Sequence, residues 1–194
     1  NSAFYNTGLV SVKIPDGMTE IPHRLFEGCT YLKEIDFNQA EVLGNRAFAY
    51  CALESVTLAD PIKEDNGAFE WCESLKEIVI TTQNIKFDYD FTIPAIEKIV
   101  IGKDVLSVTS TYYQVLPSDF NNFVFEEGSR LEEFGLCSGL NITTIELPES
   151  VRRLSDYAFE NCKNLTDIDD LLKGIEEIGD FAFARSALKS INIP

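Results

Sequence analysis

The sequence holds a single imidazole, His23, within Glu20-Ile21-Pro22-His23-Arg24-Leu25-Phe26. A Ser-His-Asp arrangement could be assembled only around that ring, and cysteine–histidine zinc sites have no second imidazole to draw on. His23 is therefore expected to be a solvated turn residue. The 5 cysteines contain no C-x-x-C pair. Instead, Phe26/Cys29, Phe48/Cys51, Phe69/Cys72, Phe134/Cys137 and Phe159/Cys162 share one spacing. A recurring slot of this kind suggests a ladder of small buried thiols, because free cysteine packs as a compact hydrophobe. A disulfide between adjacent copies, Cys29–Cys51 or Cys51–Cys72, stays geometrically open, and the odd count forbids complete pairing.

The other chemistry-bearing groups are diffuse. Asp60, Glu64 and Asp65, or Asp167, Asp169 and Asp170, could gather around Ca²⁺, but neither run has the spacing of an EF-hand loop. Both read as solvated acidic loops. No G-x-G-x-x-G or Walker loop is present, which removes the sequence basis for nucleotide binding. Gly44, Gly67 and Gly179 sit just before Phe-bearing segments, where they are expected to ease the backbone. No catalytic, cofactor-binding or metal-ligating residues are assigned, and the chain is read as non-enzymatic with no cofactor. The 32 acidic and 16 basic residues give a net charge of -16, which repels nucleic acid phosphates and anionic lipid. No apolar run is long enough for direct membrane insertion by this segment.

What would position any site is a repeat. Apolar triplets recur as Leu9-x-x-Val12-x-Ile14, Leu32-x-x-Ile35-x-Phe37, Leu53-x-x-Val56-x-Leu58, Leu75-x-x-Ile78-x-Ile80 and Ile96-x-x-Ile99-x-Ile101. They continue as Phe120-x-x-Phe123-x-Phe125, Ile142-x-x-Ile145-x-Leu147, Leu165-x-x-Ile168-x-Asp170 and Leu188-x-x-Ile191-x-Ile193. Successive central residues lie 23, 21, 22, 21, 24, 22, 23 and 23 apart. Residues two apart on a strand face the same way, so each triplet should send two side chains inward. One such strand cannot stand alone, but stacked copies bury one another's inward residues. Nine parallel strands would make a sheet about 40 Å along the stack. An Ala-Phe-x-x-Cys segment precedes most triplets and fits a turn or a single short helical turn. A further segment, as in Pro148-x-x-Val151-x-x-Leu154, links one copy to the next.

The L-x-x-L-x-L triplet resembles the leucine-rich-repeat signature. The longer form is nearly intact from Leu154 to Leu165 and again from Ile178 to Pro194. It resembles the BspA-like, or Treponema pallidum type, leucine-rich-repeat family over essentially all 194 residues. That resemblance implies an α/β solenoid: a leucine-rich-repeat horseshoe or arc with a parallel β-sheet on one face and short turns or single helical turns on the other. It also implies one domain, residues 1–194, of about nine repeats of 21–24 residues belonging to a longer protein. The implied function is non-catalytic protein–protein recognition or adhesion at the cell surface, extracellular, with a protein or glycan partner. The alternative is a structural spacer or stalk.

Two departures stand out. Residues from about 85 to 140 lose the Ala-Phe motif, with Tyr112-Tyr113 where a turn was due. Asp170 replaces an inward aliphatic residue, and the cost of burying an unpaired carboxylate predicts a shifted register or twist that exposes it. The outward residues between inward pairs are Lys13, Asp36, Thr57, Val79, Val100, Val124, Glu146, Asp169 and Asn192. The three central ones are valine, so Val79, Val100 and Val124 should form a continuous apolar strip flanked by Glu77, Lys98 and Asn122. Strand propensity alone accounts for exposed valine. As a candidate partner-binding site, the strip would be bordered by the rings of Tyr112 and Tyr113, with nearby acidic groups selecting a basic partner.

Overall fold

Residues 2–88, 93–111 and 116–191, described by the computed structural model, wind into stacked three-sided coils. In chain order the strands are β1 (Ser11–Lys13), β2 (Glu20–Ile21), β3 (Glu34–Asp36), β4 (Val42–Leu43), β5 (Ser55–Leu58), β6 (Glu64–Asp65) and β7 (Glu77–Ile80). Then come β8 (Asn84–Phe87), β9 (Lys98–Ile101), β10 (Ser107–Ser110), β11 (Phe123–Phe125), β12 (Glu133–Phe134), β13 (Arg153–Leu154) and β14 (Glu177–Ile178).

The first side carries the apolar triplets. β1 pairs with β3, and β5-β7-β9-β11 form a separate parallel sheet. Val56, Ile78, Ile99 and Phe123 are consecutive register partners, as are Leu58, Ile80, Ile101 and Phe125. The period of two therefore sends the expected residues inward, and Ile99 is 2% exposed. Val12, Ile35, Phe37, Phe123, Phe125, Ile145 and Leu147 are only partly buried, packed against the core rather than within it. The single nine-stranded ladder does not form. Among the described residues, the segments around Ile145 and Ile168 pair in no strand, and Ile191 is 44% exposed with no later described coil over it. Asp170 is exposed as expected, beside Lys173 at 2.5 Å.

The linking segments, read as connections, instead form the longest sheet: β2-β4-β6-β8-β10-β12-β13-β14, all parallel. Six of its eight strands contribute only two residues, which is too short to show alternation in sequence, and only stacking completes the ladder. Gly44, just after β4, lacks space for a side chain. A Cβ there would lie 2.4 Å from the Ile21 carbonyl oxygen and 2.8 Å from the His23 nitrogen. Close approach of successive backbones, rather than a positive φ, requires this glycine.

The third side overturns the expected α/β class. Among the described residues there is no helix, and the solenoid is all-β with turns. In the Ala-Phe segments, the residue two before the ring-bearing Phe has positive φ: Ser2, Arg24, Arg46, Gly67, Tyr157 and Phe181. So does the residue two after it: Asn6, Gly28, Tyr50, Trp71, Asn161 and Arg185. A left-handed residue every fourth position is incompatible with a right-handed helical turn. In exchange, alternate N–H groups reach the next coil rather than staying local. Arg24, Phe26 and Gly28 donate to the carbonyls of Asn45, Ala47 and Ala49 at 3.0, 2.8 and 2.8 Å. Tyr157, Phe159 and Asn161 donate likewise to Asp180, Ala182 and Ala184.

Inside these turns the rings of Phe4, Phe26, Phe48 and Phe69 stack at centroid distances of 5.3, 5.4 and 5.7 Å. Each offset aromatic pair contributes roughly 0.5–1.5 kcal/mol beyond burial. Phe134 does not join this column. It lies in β12 opposite Val108 and Leu154, and Cys137 takes the ring slot, donating its N–H to Ala158 as Phe159 does to Ala182. The shared Phe134/Cys137 spacing therefore does not mark a shared position.

Candidate functional site

The cysteines and the histidine are structural. Cys29, Cys51, Cys72 and Cys162 donate their thiols to the carbonyls of Phe4, Phe26, Phe48 and Cys137, one coil back, at 3.1, 3.4, 3.1 and 2.9 Å. All five are buried and unpaired in disulfides. Burial pushes the Cys72 thiol up to about 12 and Cys162 up to about 11, and it raises Cys51 and Cys137 as well. Because the thiolate is the nucleophile and metal ligand, this environment suppresses both activities. His23 is exposed, and its Nδ1 accepts the Asn45 N–H at 3.0 Å.

The first acidic run does not converge. Asp60 accepts the Thr82 hydroxyl at 2.8 Å, whereas Asp65 is fully buried and accepts the Ala68 N–H at 2.8 Å. Its second oxygen has no hydrogen-bond partner among the described residues. This buried carboxylate is a local repair. In neighbouring coils the N–H before Phe bonds the carbonyl four before Phe, as in Ala47 to Gly44 and Ala158 to Ser155. The link from Asp65 to Phe69 is one residue shorter than that from Leu43 to Phe48, and the Asp65 side chain supplies the acceptor instead.

The valine strip assembles as a rung. Val79 pairs with Val100 and Val100 with Val124, with Thr57 extending the row beside Val79. Val79 and Val100 are partly exposed and Val124 is 39% exposed. Cross-strand pairs of β-branched residues stabilise the sheet by roughly 0.2–1 kcal/mol each. The flanks are not free charges. Glu77 and Lys98 are register partners and form an ion pair, so they neutralise each other. Asn122 is occupied too, its side chain donating to the Glu97 carbonyl and its own carbonyl accepting the Ile99 N–H. Tyr112 and Tyr113 lie outside the described residues.

Two surface features were not legible in the residue pattern. A shallow groove of about 590 Å³ lies over the end of the second sheet, and the Arg153 at its centre is shared between Glu133 and Glu177 at 3.8 Å each. A smaller cleft of about 270 Å³ lies at a corner of the coil between Tyr50 and Trp71. Both residues have φ near +60° and are 46% and 40% exposed. Left-handed geometry costs a non-glycine residue roughly 1–2 kcal/mol, and the equivalent slot in other coils holds Asn6, Gly28, Asn161 and Arg185. Trp71 is held by its own neighbour: Nε1 donates to Glu70 at 3.0 Å, and Arg46 grips the same carboxylate from the previous coil. The backbone angle is common to all these slots, and what sets Tyr50 and Trp71 apart is the ring each places there.

Comparison with known proteins agrees with this architecture. A family model described as the BspA type leucine rich repeat region matches residues 1–115 and 132–194 in 6 copies. No curated protein sequence matches. Among solved structures, a leucine-rich repeat protein from Bacteroides ovatus is similar, with a TM-score of 0.56 and 21% identity. The pneumococcal vaccine antigen PcpA is similar at a TM-score of 0.52 and 21% identity. Each match covers 95% of this chain but 49% and 50% of those chains, so the sequence spans about half their length. At that identity the likeness concerns the fold. The family is one of repeats, and the non-enzymatic reading rests on that match. The chain belongs to the BspA-type leucine-rich-repeat family.

Proposed function

We propose that this chain is a non-catalytic recognition or adhesion module, acting outside the cell, whose valine-lined sheet face contacts a protein partner. The observation that carries the reading is the rung Val79-Val100-Val124, three apolar residues in register on a face that otherwise exposes Lys13, Asp36, Thr57 and Glu146. A stacked sheet presents such a strip on a rigid support, so little ordering cost is incurred on contact. The Glu77–Lys98 pair gives the strip a charge-balanced border, which points to apolar contact at the centre and selection by more distant acidic groups. Membership of a repeat family supports recognition over catalysis, and the match to a bacterial antigen is compatible with surface display.

The test is binding of the chain to immobilised extracellular-matrix proteins, compared with a folded V79D/V100D/V124D variant. Loss of roughly tenfold or more in affinity is expected for central contacts. Unchanged affinity in the folded variant removes this face from the interface. Absence of binding by the parent chain favours a rigid spacer instead.

A further inference from the structure

The slot that follows each turn phenylalanine by two residues is filled unlike the rest at Tyr50 and Trp71. These neighbours both adopt φ near +60° and remain exposed, where Asn6, Gly28, Asn161 and Arg185 serve the same geometry in other coils. Aromatics in left-handed positions carry a backbone cost, and Tyr157 and Phe181 bear it too, in the slot two residues before the phenylalanine. Elsewhere adjacent rings on this side close against each other, as Tyr157 and Phe181 do at 5.5 Å. Tyr50 and Trp71 make no such ring contact among the described residues, and a cleft lies between them, walled also by Thr30, Cys51, Ala52, Glu73 and Ser74.

We infer that this cleft binds an arginine or lysine side chain of a basic polypeptide. Aromatic faces carry negative charge density, so a cation over tryptophan or tyrosine is attracted, and a planar guanidinium also stacks. Glu73 lines the same cleft and, among the described residues, has no ion-pair partner. Glu70 by contrast is consumed: Arg46 grips it bidentately and the Trp71 N–H binds it, which fixes the indole before any ligand arrives. The net charge of -16 draws basic ligands towards the surface as a whole, while the rings and Glu73 give this point its selectivity. The site shares no residue with the valine strip and stands independently of the function proposed for that face.

Trp71 is the only tryptophan, so its fluorescence reports on the cleft directly. Titration with an acetylated, amidated tetra-arginine peptide should give a saturable change in Trp71 emission. Tyr50→Gly, which suits the left-handed backbone and so preserves the fold, should weaken that binding by about tenfold. Glu73→Gln should also weaken it, while Glu149→Gln, a distant exposed carboxylate, and V79D/V100D/V124D should leave it unchanged. Equal weakening in Glu149→Gln would reduce the effect to bulk charge and overturn the site. Loss in the valine variant would relocate the peptide to the sheet face and also overturn it. A saturable response to chitotetraose but not to the peptide would make the cleft a saccharide site, and silence towards both would leave the proposal refuted.

Discussion

Raising the pH should destabilise this protein through one buried carboxyl group. Asp65 occupies the inward slot of β6 that Leu43 and Phe87 fill on either side of it. The hydrophobic surroundings push its pKa up from the ordinary 3.8 to about 7, and the N–H groups of Ala68 and Gly67 offset only part of that effect. The folded chain thus holds this proton more tightly than the unfolded chain. Its contribution to stability is fully present below about pH 4 and is lost as pH rises through about 7. Each tenfold in proton affinity is worth about 1.4 kcal/mol, so the whole effect is on the order of 4 kcal/mol. For a chain of this size that corresponds to a fall of roughly 8–16 °C in Tm.

The assay is urea or thermal unfolding followed by circular dichroism at about pH 5 and about pH 8.5, for the parent chain and Asp65→Asn. The amide keeps an oxygen for the Ala68 N–H but does not ionise. The difference between the two proteins cancels the general self-repulsion of an acidic chain, which also grows with pH. The parent should lose stability relative to the variant on going from the lower to the higher pH. A difference that stays constant, or that moves the other way, would show that Asp65 is not held in the environment described here.

Four further outcomes follow from the packing. Ile99→Ala should cost roughly 2–4 kcal/mol in chemical unfolding, through lost burial and the cavity left between β7 and β11. Gly44→Ala should destabilise by about 2 kcal/mol or more, because its Cβ would overlap the Ile21 carbonyl of the coil beneath; an unchanged unfolding midpoint would remove the close-approach argument. Tyr50→Gly should raise stability by up to about 1 kcal/mol by relieving the left-handed backbone, measured in the same unfolding experiment. Iodoacetamide at about pH 8 should label no cysteine of the folded chain and all five in urea, as mass spectrometry would count.

The period of the chain was readable because each coil repeats the same inward pair, and a residue two positions on faces the same way. Ile78/Ile80 and Ile99/Ile101 therefore pair as their spacing requires. The second sheet was not readable, since β4 or β13 offers two residues and no alternation to detect. The helical expectation failed for a different reason. Ala-Phe-x-x-Cys has the local composition of a helical turn, but Arg24 and Arg46 at φ 58° and 56° turn their N–H groups towards the next coil. The hydrogen-bond partner decides the geometry, and it lies some twenty residues away.

The candidate site was readable only where side-chain alternation carries it. Val79, Val100 and Val124 stand out because polar residues surround them in the same slot, and their rung formed as the period predicts. The charge of Glu77 and Lys98 could not be judged in the same way, because their mutual pairing depends on which rotamers meet across β7 and β9. Aligning the triplets also hides changes of length in the links. That is how Phe134 and Cys137 seemed to match Phe159 and Cys162, although Phe134 pairs with Leu154 and Cys137 takes the Phe159 slot, and how Asp65 passed for part of an acidic loop. In a solenoid the departures from the repeat are the informative residues, and they must be sought slot by slot in the folded coil. Compared that way, Tyr50 and Trp71 stand out as rings in a slot filled elsewhere by Asn6, Gly28, Asn161 and Arg185, and among the described residues they do not close on each other as Tyr157 and Phe181 do.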